Sequence, residues 1–197
     1  MFRSGDPSCC KGAAPASIPR ARRRTGALAA GLLVAACSPA SDWRELEVPG
    51  TTLAVRLPCK PDRQQRTVVV AGQPLAMSLQ SCQAGDTTYG LATADVGDPA
   101  RVDAVLTALA ESARGAIGAP EPAVAAFAMP GVTPYRGDVR LRLAGRRPDG
   151  RAVEESLTLF ARGTQVFQAT ALGEALPDSA LAPFLEGLRF RGLSSAP

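Results

Sequence analysis

Three stretches of this chain alternate apolar and polar side chains one for one, and a period of two commits them to a sheet. Leu53, Val55 and Leu57 alternate with Thr52, Ala54 and Arg56; Leu75, Met77 and Leu79 with Ala76, Ser78 and Gln80; Val139, Leu141 and Leu143 with Asp138, Arg140 and Arg142. Successive side chains of a strand point to opposite faces, so each run reads as a half-buried strand. Pro49-Gly50, Gly72-Gln73, Ala84-Gly85 and Pro148-Asp149-Gly150 break the runs at hairpin spacing, which makes the sheet mainly antiparallel.

Two segments change to a helical period. Asp98 reads as an N-cap with Pro99 at the first helical position, and Val102, Val105, Leu106, Leu109 and Ala113 then share one face until Gly115. A shorter helix over Asp178 to Gly187 places Leu181, Phe184, Leu185 and Leu188 on one side, with Pro183 expected in its first turn or at its start.

Laying residue n on residue n+78 brings Gly72 onto Gly150, Leu75 onto Val153, Ser78 onto Ser156, Gly85 onto Gly163, Tyr89 onto Phe167 and Pro99 onto Pro177. Two readings stay open: a duplicated ββββα unit, or two hairpin-then-helix segments that share turn glycines by necessity. Duplication requires Leu79 and Leu157 to be buried together with Tyr89 and Phe167, and both helices to pack on equivalent strands. On either reading the fold class is α+β, a curved, mainly antiparallel sheet of about eight or nine strands with two packed helices.

The N-terminal part reads as a targeting segment. Arg20, Arg22, Arg23 and Arg24 are followed by the apolar run Gly26 to Ala36, with Ala35 and Ala36 as the small residues a signal peptidase needs. The uncharged run is too short and too rich in alanine and glycine for a spanning helix of about 20 residues. The segment Val34-Ala35-Ala36-Cys37 resembles the lipobox of bacterial lipoproteins. That resemblance implies that Cys37 takes a diacylglyceryl group and becomes the mature N-terminus. Ser38 after it implies sorting to the outer membrane, facing the periplasm. Residues 1–36 are then a signal peptide, in which either the n-region is long or translation starts downstream of Met1. Residues 37–42 form a lipidated tether, 43–192 a single globular domain and 193–197 a disordered tail.

Removing the signal changes the charge. The chain carries +4 overall, but residues 37–197 hold 16 basic and 17 acidic side chains, a net of −1. No basic stripe remains for nucleic acid. The chain has no histidine, which excludes histidine triads, histidine-ligated zinc and histidine general bases, and no cofactor is expected. Cys59 and Cys82 remain beyond Cys37, and in an oxidising compartment they read as a structural disulfide contributing about 3 kcal/mol. A redox pair or metal site is disfavoured by their spacing and by the lack of further soft ligands.

Searching for chemistry yields no phosphate loop, nucleophile elbow or calcium loop. Glu154 and Glu155 are adjacent in a strand, point to opposite faces and cannot work as a carboxylate pair. The one polar face of interest sets Asp138, Arg140 and Arg142 beside Glu154, Ser156 and Thr158, either a solvated outer face with a ladder of opposite charges or a docking surface for an anionic group or a partner protein. Trp43 reads either as a core plug or as an interfacial aromatic.

In the order of its strands and helices, and in its closing segment Phe184 to Phe190, the region 43–191 loosely resembles the PsbP and Mog1-like sandwich domains and small envelope lipoproteins of proteobacteria. The resemblance implies a non-catalytic binding or assembly module tethered to the bilayer through acylated Cys37, with an envelope protein as partner. The alternative is a periplasmic hydrolase that works with carboxylates and arginines alone.

Overall fold

The computed structural model of the chain describes residues 42–125 and 127–192. Cys37, the export signal and the 193–197 tail lie outside the described residues. The alternating runs form strands as their period requires, and the described residues arrange ten strands in two sheets instead of one sheet of eight or nine.

The small sheet contains β1 (Arg44–Glu47), β2 (Leu53–Leu57) and β10 (Arg189–Phe190), in the order β1-β2-β10. The large sheet contains β3 (Asp62–Val70), β4 (Gln73–Ala84), β5 (Thr87–Asp95), β6 (Ala123–Ala125), β7 (Val139–Arg146), β8 (Ala152–Arg162) and β9 (Gln165–Gly173). Its order is β3-β4-β5-β9-β8-β7-β6, antiparallel throughout and not closed into a barrel. The helices are α1 (Val102–Ala116) and α2 (Asp178–Glu186).

Both faces of the large sheet are covered. One face carries α1, whose Val102, Val105, Leu106 and Leu109 bury against Leu141, Leu157, Leu159 and Val166, an aliphatic core. The other face carries α2 and the small sheet, and it holds most of the aromatic rings. Phe160 stacks on Phe167 at 5.0 Å between centroids, Tyr89 meets Phe184 of α2 at 5.4 Å, and Trp43 meets Tyr89 edge-on at 5.5 Å. Trp43 thus packs half-buried against the edge of this core. Each fully buried large side chain stabilises the fold by about 1.5–3 kcal/mol, so these two clusters fix which way every strand faces.

The hairpins repeat in register. Ser78 pairs with Thr93 and Ser156 with Ala171, so both partners advance by 78. Gln65 pairs with Ser78 and Arg142 with Ser156, advances of 77 and 78. At the centre β5 meets β9 with Leu91 opposite Ala169, residues that are themselves 78 apart. An antiparallel pair has a two-fold axis normal to the sheet, and here that axis relates β3-β4-β5 to β7-β8-β9.

The equivalence stops at the helices, which cover opposite faces rather than equivalent strands. Leu157 is fully buried under α1, whereas Leu79 lies beyond the helix and is only half-buried. Tyr89 and Phe167 are both buried, on the face of α2. Asp98 caps as expected, accepting the Ala100 N–H at 2.9 Å, and opens a 3-10 turn over Pro99–Arg101 that leads into α1. Pro183 sits inside α2 and not in its first turn. The helix begins at Asp178, so the proline removes one backbone donor from its middle.

Candidate functional site

The face bearing Arg140 and Arg142 is not an open, wet sheet surface. Arg140 stands opposite Thr158 and Arg142 opposite Ser156, while Glu154 faces Ala144, so no direct ladder of opposite charges forms. The helix α2 lies over this side. Thr158 is completely buried and Ser156 nearly so. Between α2 and the β7–β8 pair runs a cleft of about 340 Å³ lined by Arg140, Arg142 and Ser156 below and by Leu181, Ala182 and Leu185 along the helix, with Asp178 and Glu186 also at its wall.

The three residues singled out in the sequence divide between two roles. Arg142 donates from both terminal nitrogens to the Leu176 carbonyl at 3.2 Å and lies 3.6 Å from the Asp178 carboxylate. Glu154 accepts the N–H of the same Leu176 at 3.1 Å. Together they hold one residue through its N–H and its carbonyl, where the chain leaving β9 comes onto the face on which α2 begins.

Arg140 is placed differently. Among the described residues its side chain makes no hydrogen bond or ion pair, and its Nε is buried without a partner, as is the Thr158 hydroxyl opposite it. Its guanidinium lies over the Phe127 ring at 5.4 Å from the centroid. Burial lowers its pKa from the usual arginine value, since desolvation disfavours the charged form. Asp138 does not join the cleft, because its Oδ2 accepts the Tyr135 N–H at 2.8 Å and closes a turn.

A second cleft of about 410 Å³ lies at the other end of the sheet, lined by Arg63, Gln65, Ser78, Gln80 and Thr93 with Pro49 above. Its strand residues occupy the two-fold positions of the first: Arg63 corresponds to Arg140, Gln65 to Arg142, Ser78 to Ser156 and Gln80 to Thr158. Here the arginine has a partner, with Arg63 Nε donating to Gln80 Oε1 at 3.4 Å.

Cys59 and Cys82 stand at disulfide distance, 5.9 Å between Cα atoms, and fasten the segment before β3 to β4. Glu154 and Glu155 point to opposite faces as their adjacency requires. Glu155, however, is 6% exposed between Leu143 and Leu172 on the α1 side, and burial raises its carboxyl above the usual range. No group of three or more metal-ligating carboxylates or cysteines occurs among the described residues, and none of their helices is long and apolar enough to cross a membrane.

The sequence pattern did not reveal the contribution of α2 to the cleft wall or Phe127 beneath Arg140. Both depend on how distant segments meet; the one local signal was the alternation that sets Arg140 on the Thr158 face. The chain matches no family model and no curated relative.

Proposed function

We propose that the protein is an envelope lipoprotein, tethered through acylated Cys37, whose domain is a non-catalytic binding module with the α2/β7–β8 cleft as its recognition element. The observation that carries this reading is Arg140, a half-buried cation without a protein partner among the described residues, lining a cleft with an apolar wall. Its terminal nitrogens donate to no protein group among the described residues, so an anionic acceptor in the cleft can take them up. The volume lies within the range of small-ligand sites. The lipobox resemblance at Cys37 supports the tether, and the Cys59–Cys82 pair supports an oxidising compartment.

Intact-mass analysis of the protein from cells tests the tether. The expected product begins at Cys37 and carries the mass of at least a diacylglyceryl group, it fractionates with the outer membrane, and Cys37→Ala abolishes both. An unmodified cysteine or cleavage elsewhere overturns the assignment, and fractionation with the inner membrane overturns the sorting.

A further inference from the structure

We propose that the α2/β7–β8 cleft takes a monocarboxylate with an apolar chain, its carboxylate on Arg140 and its chain along Leu181, Ala182 and Leu185. This rests on the reading of the domain as a binding module and names its ligand class.

The charge inventory of the cleft selects the head group. Arg142 is engaged by the Leu176 carbonyl and the Asp178 carboxylate, so among the described residues of the cleft Arg140 is the cation left to meet a ligand. Asp178 lies against Arg142 and Glu186 stands at the same wall, so among the described residues lining the cleft Arg140 alone offers its positive charge to a ligand. A single negative charge is matched there, whereas a dianion meets repulsion from both acidic side chains. Guanidinium and carboxylate are both planar and pair through two parallel hydrogen bonds, the geometry in which arginine binds most strongly. The packing of Arg140 on Phe127 holds the guanidinium plane in place before binding.

The wall selects the remainder. Leu181, Ala182 and Leu185 present an apolar strip one helical turn long, since residues three and four apart share a helix face. The cleft, about 340 Å³, holds on the order of ten water-sized groups. That suits a short chain rather than a polymer. The corresponding cleft at Arg63 lacks both elements, because Gln80 meets its arginine and no helix lines it, so the two-fold mate serves as an internal control.

Calorimetric titration of the full chain carrying Cys37→Ser, so that no acyl chain competes, tests the proposal with hexanoate, hexyl phosphate and hexanol at pH 7. Hexanoate is expected to bind, hexyl phosphate more weakly, and hexanol at least tenfold more weakly. Arg140→Met is expected to weaken hexanoate at least tenfold while Arg63→Met leaves it unchanged, both variants keeping the wild-type melting temperature within a few degrees. Arg140→Lys, which keeps the charge but loses the planar fork, falls between. Hexanoate binding that survives Arg140→Met, or that falls equally with Arg63→Met, overturns the site. Hexyl phosphate binding more tightly than hexanoate overturns the carboxylate assignment. Hexanol binding as well as hexanoate overturns the carboxylate head but leaves a binding module. Silence from all three ligands overturns the ligand class, and the tether is judged separately by mass analysis.

Discussion

The two three-stranded halves of the large sheet share a register but solve the same packing problems with different chemistry. In the first half the segment before β3 is fastened to β4 by the Cys59–Cys82 pair. In the second half the position of Cys82 is taken by Phe160, which meets Phe127 from the segment before β7 at 5.5 Å between centroids. The two-fold position of Met77 is held by Glu155, and that of Val68 by Gly145. The halves teach that strand pairing tolerates wide changes of side chain as long as the face pattern holds. What sits at a given position is then decided by what covers it: α1 over part of one face, α2 and the small sheet on the other side.

Substitutions at matched positions sharpen that comparison. The largest effect is expected at Phe160, where Phe160→Ala leaves a cavity among Phe127, Phe167 and Phe190 and destabilises the protein by about 3–5 kcal/mol in denaturant unfolding. Breaking the corresponding clasp in the first half, Cys59→Ser with Cys82→Ser, costs about 3 kcal/mol and makes the unfolding midpoint insensitive to reductant, which the wild type is not. A double variant whose midpoint matches the oxidised wild type shows that the first half does not depend on its clasp.

Gly145→Ala comes next. A Cβ there would lie 2.1 Å from the Ile117 carbonyl oxygen, in the segment after α1 that also accepts the Arg146 N–H at 2.8 Å. Relieving that overlap moves α1 off the sheet and costs about 1–3 kcal/mol. Val68, its two-fold mate on the edge strand, accommodates Ala with a smaller loss. Equal losses at the two sites would mean that α1 does not discriminate between the halves.

The smallest effect has the opposite sign. Burial raises the Glu155 carboxyl above its usual range, so the folded state holds a proton that the unfolded chain releases. The stability is complete below the ordinary carboxylate range near pH 4 and is lost as pH rises through the raised value. Glu155→Met, which installs the residue of the first half, is expected to stabilise by about 1 kcal/mol at pH 7 and by less at pH 4. Thermal melts at the two pH values check it, and a variant that is less stable at pH 7 would show a role for the charge in packing.

The three alternating strands, both helices, the Asp98 cap and the cysteine pair were legible because each rests on contacts local in sequence or on a period that the sheet imposes, whereas the division into two sheets was not. Alternation placed Arg140, Arg142, Ser156 and Thr158 on one face. It also separated Glu154 from Glu155. Burial was less legible, since Leu79 and Leu157 have identical local patterns and differ only in where α1 lies.

The sequence by itself determined the α+β class, the strand alternation and the two hairpins that repeat at 78, because backbone pairing and side-chain period are properties of short segments. Only the tertiary structure decided that the helices take opposite faces, that Arg142 and Glu154 spend their hydrogen bonds on Leu176, and that Arg140 has no partner among the described residues at a helix-walled cleft. Those outcomes depend on contacts between residues far apart in the chain, and the sum of such contacts, not any local preference, chooses between otherwise equivalent faces.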